Sequence, residues 1–122
     1  MNTCVLFTMP GNEAIGNSLL KLLHAQPGEA IIRHSPDGET YVKVLTVMTE
    51  RRAVIVCALH HPDDKILPLY FLAKTLKEFG ASPVTLVASY LAYVRQDKMF
   101  TEGECISSAF FAELLSRCVY LK

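Results

Sequence analysis

Val84-Thr85-Leu86-Val87-Ala88-Ser89-Tyr90-Leu91-Ala92-Tyr93-Val94-Arg95-Gln96-Asp97-Lys98 is an apolar run that breaks abruptly into a cluster of charge, amide and phenol. Its first half is continuously hydrophobic and rich in β-branched residues, the character of a strand covered on both faces in a parallel sheet. In open α/β folds ligands collect beyond the carboxyl ends of the strands, so Arg95, Gln96 and Asp97 stand where a rigid core would present them to a polar ligand. Arg95 offers a planar fork for phosphate or a face for stacking on a base, and Gln96 both donates and accepts.

Thr3 to Met9 has the same strand character and is ended by Pro10-Gly11-Asn12. A helix is expected from about Glu13, with Ile15, Leu19, Leu22 and Leu23 on its apolar stripe and Asn12 placed to cap it. Gln26-Pro27-Gly28 is expected to be a turn. Ser35-Pro36-Asp37-Gly38-Glu39 lies between β-rich segments and predicts a hairpin, because Thr40 to Leu45 alternates as a half-exposed strand does. Ala53 to Leu59 is a further apolar strand. After His60-His61-Pro62-Asp63-Asp64 comes a helix carrying Ile66, Leu69, Tyr70, Ala73, Leu76 and Phe79 on one face, stopped by Gly80. Pro68 falls in its first turn, where it is tolerated. Ile106 to Leu115 predicts a last helix, and Val119-Tyr120-Leu121 a strand. Strand and helix alternation of this kind implies a three-layer α/β fold: a mostly parallel sheet, helices on both faces, right-handed crossovers and one β-hairpin.

The 122 residues are one domain's worth of chain, and 51% of them are hydrophobic, enough for a packed core. Formal net charge is zero with the two signs interspersed, so neither nucleic acid nor an anionic membrane is expected as a partner. The apolar runs fall short of a membrane span and the N-terminus has no signal-peptide pattern, which makes a cytoplasmic location the expectation. Cys4, Cys57, Cys105 and Cys118 are scattered, as buried reduced thiols are. Gly11 and Gly16 do not form a dinucleotide fingerprint. His60, His61, Asp63 and Asp64 do not make a convincing metal set, since adjacent side chains leaving a strand point to opposite sides. They are read instead as a polar loop in which Asp63 or Asp64 caps the following helix. Tyr90 and Tyr93 either flank a base or wedge their loop against the core with paired hydroxyls.

Tyr90-Leu91-Ala92-Tyr93-Val94-Arg95-Gln96-Asp97-Lys98 resembles the signature Tyr-x-x-Tyr-x-Arg-Gln-Asp-Lys/Arg of ribose-phosphate pyrophosphokinase. Three further segments are similar to that family in the right order: Gly11-Asn12, the Ser35-Pro36-Asp37-Gly38-Glu39 hairpin, and Phe100-Thr101-Glu102-Gly103-Glu104-Cys105-Ile106-Ser107. The resemblance implies a phosphoribosyltransferase-like fold and the N-terminal, ATP-side domain of a two-domain enzyme, here residues 1–122. The complete enzyme moves diphosphate from ATP onto ribose 5-phosphate, with Mg2+, to make phosphoribosyl pyrophosphate for nucleotide biosynthesis. It implies that Arg95 and Gln96 contact the nucleotide and that Asp97 braces the site. Asp37 and Glu39 would hold the adenine from a neighbouring subunit, in a homo-oligomer.

The departures from that pattern have consequences of their own. Ser35 replaces the family's adenine-stacking aromatic and Ser89 its proline. The Asp-Leu-His segment and the acidic, glycine-rich loop for ribose 5-phosphate are absent, so no catalytic or metal-ligating residue is assigned and the isolated chain is expected to be catalytically silent. A non-catalytic nucleotide-binding or assembly module derived from the enzyme is the alternative, and a phosphoribosyltransferase is a third, disfavoured by the missing loop.

Overall fold

The apolar runs pair into one sheet. In the computed structural model, which describes residues 4–121, the elements follow as β1 (Cys4–Thr8), α1 (Glu13–Leu23), β2 (Gln26–Pro27), β3 (Ala30–His34), β4 (Thr40–Val44), β5 (Arg52–Val56), α2 (Ile66–Glu78), β6 (Val84–Val87), α3 (Ser107–Ser116) and β7 (Tyr120–Leu121). Five strands form a sheet in the order β2-β1-β5-β6-β7, and β3 and β4 form the separate hairpin. Every pairing in the large sheet is parallel, with Leu6 opposite Val54 and Ile55 opposite Leu86, whereas the hairpin is antiparallel. The expected α/β architecture is therefore the observed one. Of the first expected strand, Thr3 lies outside the described residues.

Alternation along the strands sorts side chains into two layers. Val5, Phe7, Ala53, Ile55, Val84 and Leu86 join one core with Leu69, Leu72 and Leu76 of α2 and with Phe111 and Leu115 of α3. Burying each large member contributes about 1.5–3 kcal/mol. The 3.6-residue spacing of Leu69, Leu72, Ala73 and Leu76 gives α2 its buried face, and Val44 of the hairpin closes over the same core. Gly80, at φ +91°, ends the helix. Its N–H and that of Ala81 bond to the carbonyls of Lys77 and Leu76, both at 3.0 Å, the left-handed cap glycine allows. Phe79, expected on the buried stripe, is exposed because it already belongs to that turn.

α1 lies on the other face. Gly16 sits so close to Thr8 that an added Cβ would come within 2.2 Å of its Oγ1. That approach sets which side of α1 is buried, and it is not the expected stripe: Leu19 is half-buried, but Ile15, Leu22 and Leu23 are exposed, Leu22 by 76%. Asn12 does not cap α1 through its side chain. Its Nδ2 donates to the carbonyls of Met9 and Pro10, both at 3.2 Å, and its Oδ1 accepts the N–H of Ala58 at 2.8 Å. The buried amide therefore ties the end of β1 to the end of β5. Gln26 and Pro27, expected as a turn, extend the sheet edge beside Val5 and Leu6; an edge strand is where proline's missing donor is tolerated.

The stretch from Val84 to Lys98 divides after Val87, where β6 ends. Residues 88–106 have no regular secondary structure, and the strand expected over Ala53 to Leu59 stops at Val56.

Candidate functional site

Beyond the carboxyl ends of β5 and β6, the loop of residues 57–65 and the loop of residues 88–106 face each other across a hollow of about 540 Å³. His60, His61, Asp63 and Asp64 line it from the first loop, Tyr90 and Tyr93 from the second. The loops are joined by backbone as well, since the Leu59 N–H donates to the Tyr90 carbonyl at 2.9 Å. The His60 and Tyr90 rings stack across the join, centroids 4.0 Å apart and planes inclined by 20°.

Tyr93 makes the second join. Its hydroxyl donates to an Asp63 carboxylate oxygen, and its ring rests against Phe111 of α3 at 4.9 Å. The hydrogen bond, some desolvation and the carboxylate's charge all push the phenol pKa up, in that order of size. The phenol therefore stays protonated and keeps its role as donor. Of the two expectations for the tyrosines, the paired hydroxyl describes Tyr93. Neither Asp63 nor Asp64 caps α2: the helix starts after a 3-10 turn over Pro62–Asp64, with Lys65 at the cap position and no side-chain capping bond. Lys65 Nζ instead donates to the Ala58 carbonyl at 2.9 Å.

A second hollow, of about 220 Å³, lies beside the first where β1 and β5 end. Met9, Pro10, Ile32 and Pro68 make its wall mainly apolar, and His34 of the hairpin and Asp64 stand at it. Cys57, fully buried there, has its thiol pKa raised by burial, with Lys65 pulling the other way.

Arg95 and Asp97 are exposed and Gln96 is half-buried. None of the three lines either hollow. Among the described residues Arg95 makes no hydrogen bond and no ion pair, which leaves its guanidinium facing solvent. The backbone around it is held: the Gln96 N–H donates to the Tyr93 carbonyl at 3.2 Å, and the Gln96 carbonyl accepts the Ser108 N–H at 3.1 Å, in the first turn of α3. Asp37 and Glu39 stand exposed at the hairpin tip, apart from the loop bearing Arg95 in the sequence. There the Asp37 Oδ1 accepts the Glu39 N–H at 3.2 Å, and the Ser35 N–H donates to the Glu39 carbonyl at 2.7 Å. Asp37 thus serves the turn, with Gly38 at φ +90° taking the left-handed position.

Sequence reasoning missed the role of Asp63 and the His60–Tyr90 stack. No local pattern marks either, because their partners come from another loop. Among the described residues no three His, Cys, Asp or Glu side chains converge as a metal site. No helix among the described residues is long and apolar enough to cross a membrane.

A family model described as the N-terminal domain of ribose phosphate pyrophosphokinase matches residues 4–118. The ribose-phosphate pyrophosphokinase of Saccharolobus solfataricus is 34% identical over 103 residues, covering 84% of this chain and 35% of that protein. That of Thermococcus kodakarensis is 41% identical over 80 residues, covering 65% of this chain and 28% of that protein. The chain superimposes on phosphoribosylpyrophosphate synthetase from Mycobacterium smegmatis with a TM-score of 0.89 at 21% identity, covering 98% of this chain and 40% of that one. A purine phosphoribosyltransferase from Pyrococcus horikoshii gives a TM-score of 0.55 at 12% identity, covering 71% of this chain and 59% of that one. These two likenesses concern the fold alone. The chain spans well under half the length of the pyrophosphokinases it matches.

Proposed function

Because the chain belongs to the ribose-phosphate pyrophosphokinase family, as its N-terminal domain, we propose that it supplies the ATP side of a ribose-phosphate diphosphokinase. The observation that carries this reading is the loop after β6. It keeps the family's Arg-Gln-Asp order at residues 95–97 and, among the described residues, leaves the exposed Arg95 fork without a partner. Diphosphate transfer depends on positioning and on cancelling charge more than on covalent help from the protein, and a free guanidinium is suited to both. Arg95 and Gln96 contact the nucleotide, with Asp97 bracing them. Asp37 and Glu39, exposed at the hairpin tip, reach the adenine of a neighbouring subunit. Ribose 5-phosphate and magnesium are held by a second domain, and no step involving the metal is assigned to the residues here.

Calorimetric titration with ATP tests the reading. The wild type releases binding heat and Arg95→Ala loses most of it; equal heats from the two proteins overturn the assignment of Arg95. In a coupled assay the isolated chain forms neither AMP nor phosphoribosyl pyrophosphate.

A second reading, a non-catalytic nucleotide-binding or assembly module, is favoured by two observations. Ser35 puts no ring at the hairpin tip where the family has an aromatic, and large apolar side chains stand exposed on α1 and α3, among them Leu22 and Phe110. Sedimentation separates the two. Assembly without ATP heat supports a module that only assembles, and ATP heat excludes that form of it.

A further inference from the structure

Tyr93 has φ of +64°, a left-handed conformation in which a bulky aromatic residue is uncommon, and whose backbone cost is offset only where its surroundings hold it. Three contacts do so: the hydroxyl bond to Asp63, the ring contact with Phe111, and the Gln96 N–H on its carbonyl. The first comes from the β5–α2 loop, the second from α3 and the third from the turn itself. That turn carries Arg95, and its far end is fastened by the Ser108 N–H. His61, two residues before Asp63, also has positive φ, at +50°. Both sides of the Tyr93–Asp63 contact are therefore built from backbone that a free loop would leave. The pair also stands in the walls of two cavities, the 540 Å³ hollow and one of about 300 Å³ in front of α3, and so forms the partition between them.

We propose that Tyr93, through its hydroxyl bond to Asp63, is the positioning residue that sets the direction of the 95–97 segment toward its ligand. This rests on the nucleotide reading of that segment. When the hydroxyl is removed, the ring keeps its contact with Phe111 but loses its restraint from the β5–α2 loop. The left-handed turn then opens, and Arg95 no longer holds one direction relative to the sheet edge. The bond does not touch the reacting atoms; its effect passes through the backbone of Val94 to Gln96.

Amide hydrogen exchange without nucleotide, on wild type, Tyr93→Phe, Asp63→Ala, Asp63→Asn and the Tyr93→Phe/Asp63→Ala double variant, tests the bond itself. Exchange over residues 94–106 rises severalfold in Tyr93→Phe and in Asp63→Ala, and no further in the double variant, while β1 and β5 stay protected. Asp63→Asn, which keeps an acceptor oxygen, stays close to wild type. Unchanged exchange in Tyr93→Phe, additive effects in the double variant, or an equal rise in β1 and β5 overturns the proposal. ATP titration of the same set then reads the consequence. Affinity falls in Tyr93→Phe, which changes no charge, and recovers in Asp63→Asn relative to Asp63→Ala. An unaltered ATP affinity in a Tyr93→Phe protein whose loop exchanges faster also overturns the positioning role. A wild type that gives no ATP heat overturns the nucleotide reading instead, and the exchange results are unaffected by it.

Discussion

The two faces of the large sheet are built from alternate residues of the same strands, yet they differ in how they are covered. On the side of α2, α3 and the hairpin, Phe7, Ile55 and Leu86 are 2%, 0% and 0% exposed. On the side of α1, Leu6 and Val56 are buried too, but Cys4, Val54, Thr85 and Val87 are only half-buried, and with Leu23 and Arg52 they line a hollow of about 480 Å³. A parallel sheet ordinarily has both faces covered. Here α1 presses on β1 through Gly16, and the neighbouring strands are left partly bare on that side. Strand character in a sequence reports how apolar a segment is, and does not tell which of its two sides is sealed.

Adjacent residues of β6 belong to different faces, so substitutions there read the difference in coverage directly. Leu86→Ala should lower stability by about 2–5 kcal/mol, the cost of a cavity in a sealed core. Val87→Ala, on the open face, should cost less than about 1.5 kcal/mol, since solvent fills the space. Chemical denaturation of both variants measures the difference, and equal losses would mean that the two faces are equally dry.

A smaller effect is expected where β1 and β5 end. Asn12→Ala removes the acceptor of the Ala58 N–H and two donors, and should cost about 1–3 kcal/mol. A midpoint shift in urea unfolding without a change of slope would show it as a loss of stability in a fold otherwise intact.

The smallest effect is electrostatic and sharpens the contrast between a sealed and an open position. Burial raises the Cys57 thiol above its usual 9.0 on the dry face. It also raises Cys4 on the open face, where Arg52 pulls back. A thiol whose folded pKa is raised favours the folded state below the unfolded pKa, and that contribution is lost as the pH climbs through the folded pKa. Stability should therefore decline from about pH 9 upward, and Cys57→Ala should flatten the decline more than Cys4→Ala does. Thermal melts across that range measure the slopes, and the reverse order would contradict the difference in burial.

Some features were legible because their cause is local. Pro36-Asp37-Gly38 specifies a tight turn through its own backbone preferences, and the hairpin is there with Asp37 bonded to Glu39. Gly80 marked the end of α2 for the same reason. The stripe on α1 was misjudged because Ile15, Leu22 and Leu23 have helical spacing, while the buried side was chosen by the one residue small enough to touch Thr8. The candidate site divides in the same way. Arg95, Gln96 and Asp97 stand out as a polar break after an apolar strand, and the loop does follow β6. That Tyr93 meets Asp63, thirty residues away, is visible only once β5 and β6 lie side by side.

By itself the amino-acid sequence determined the order and type of the elements other than the short edge strand β2, the parallel α/β class and the family, because periodicity, turn chemistry and short motifs act within a few residues of chain. Only the tertiary structure decided which face of each helix is dry, that Asn12 joins two strand ends and not a helix start, and that Tyr93 is fastened to Asp63. Those outcomes depend on which segments become neighbours, and neighbours are selected by the packing of the whole sheet.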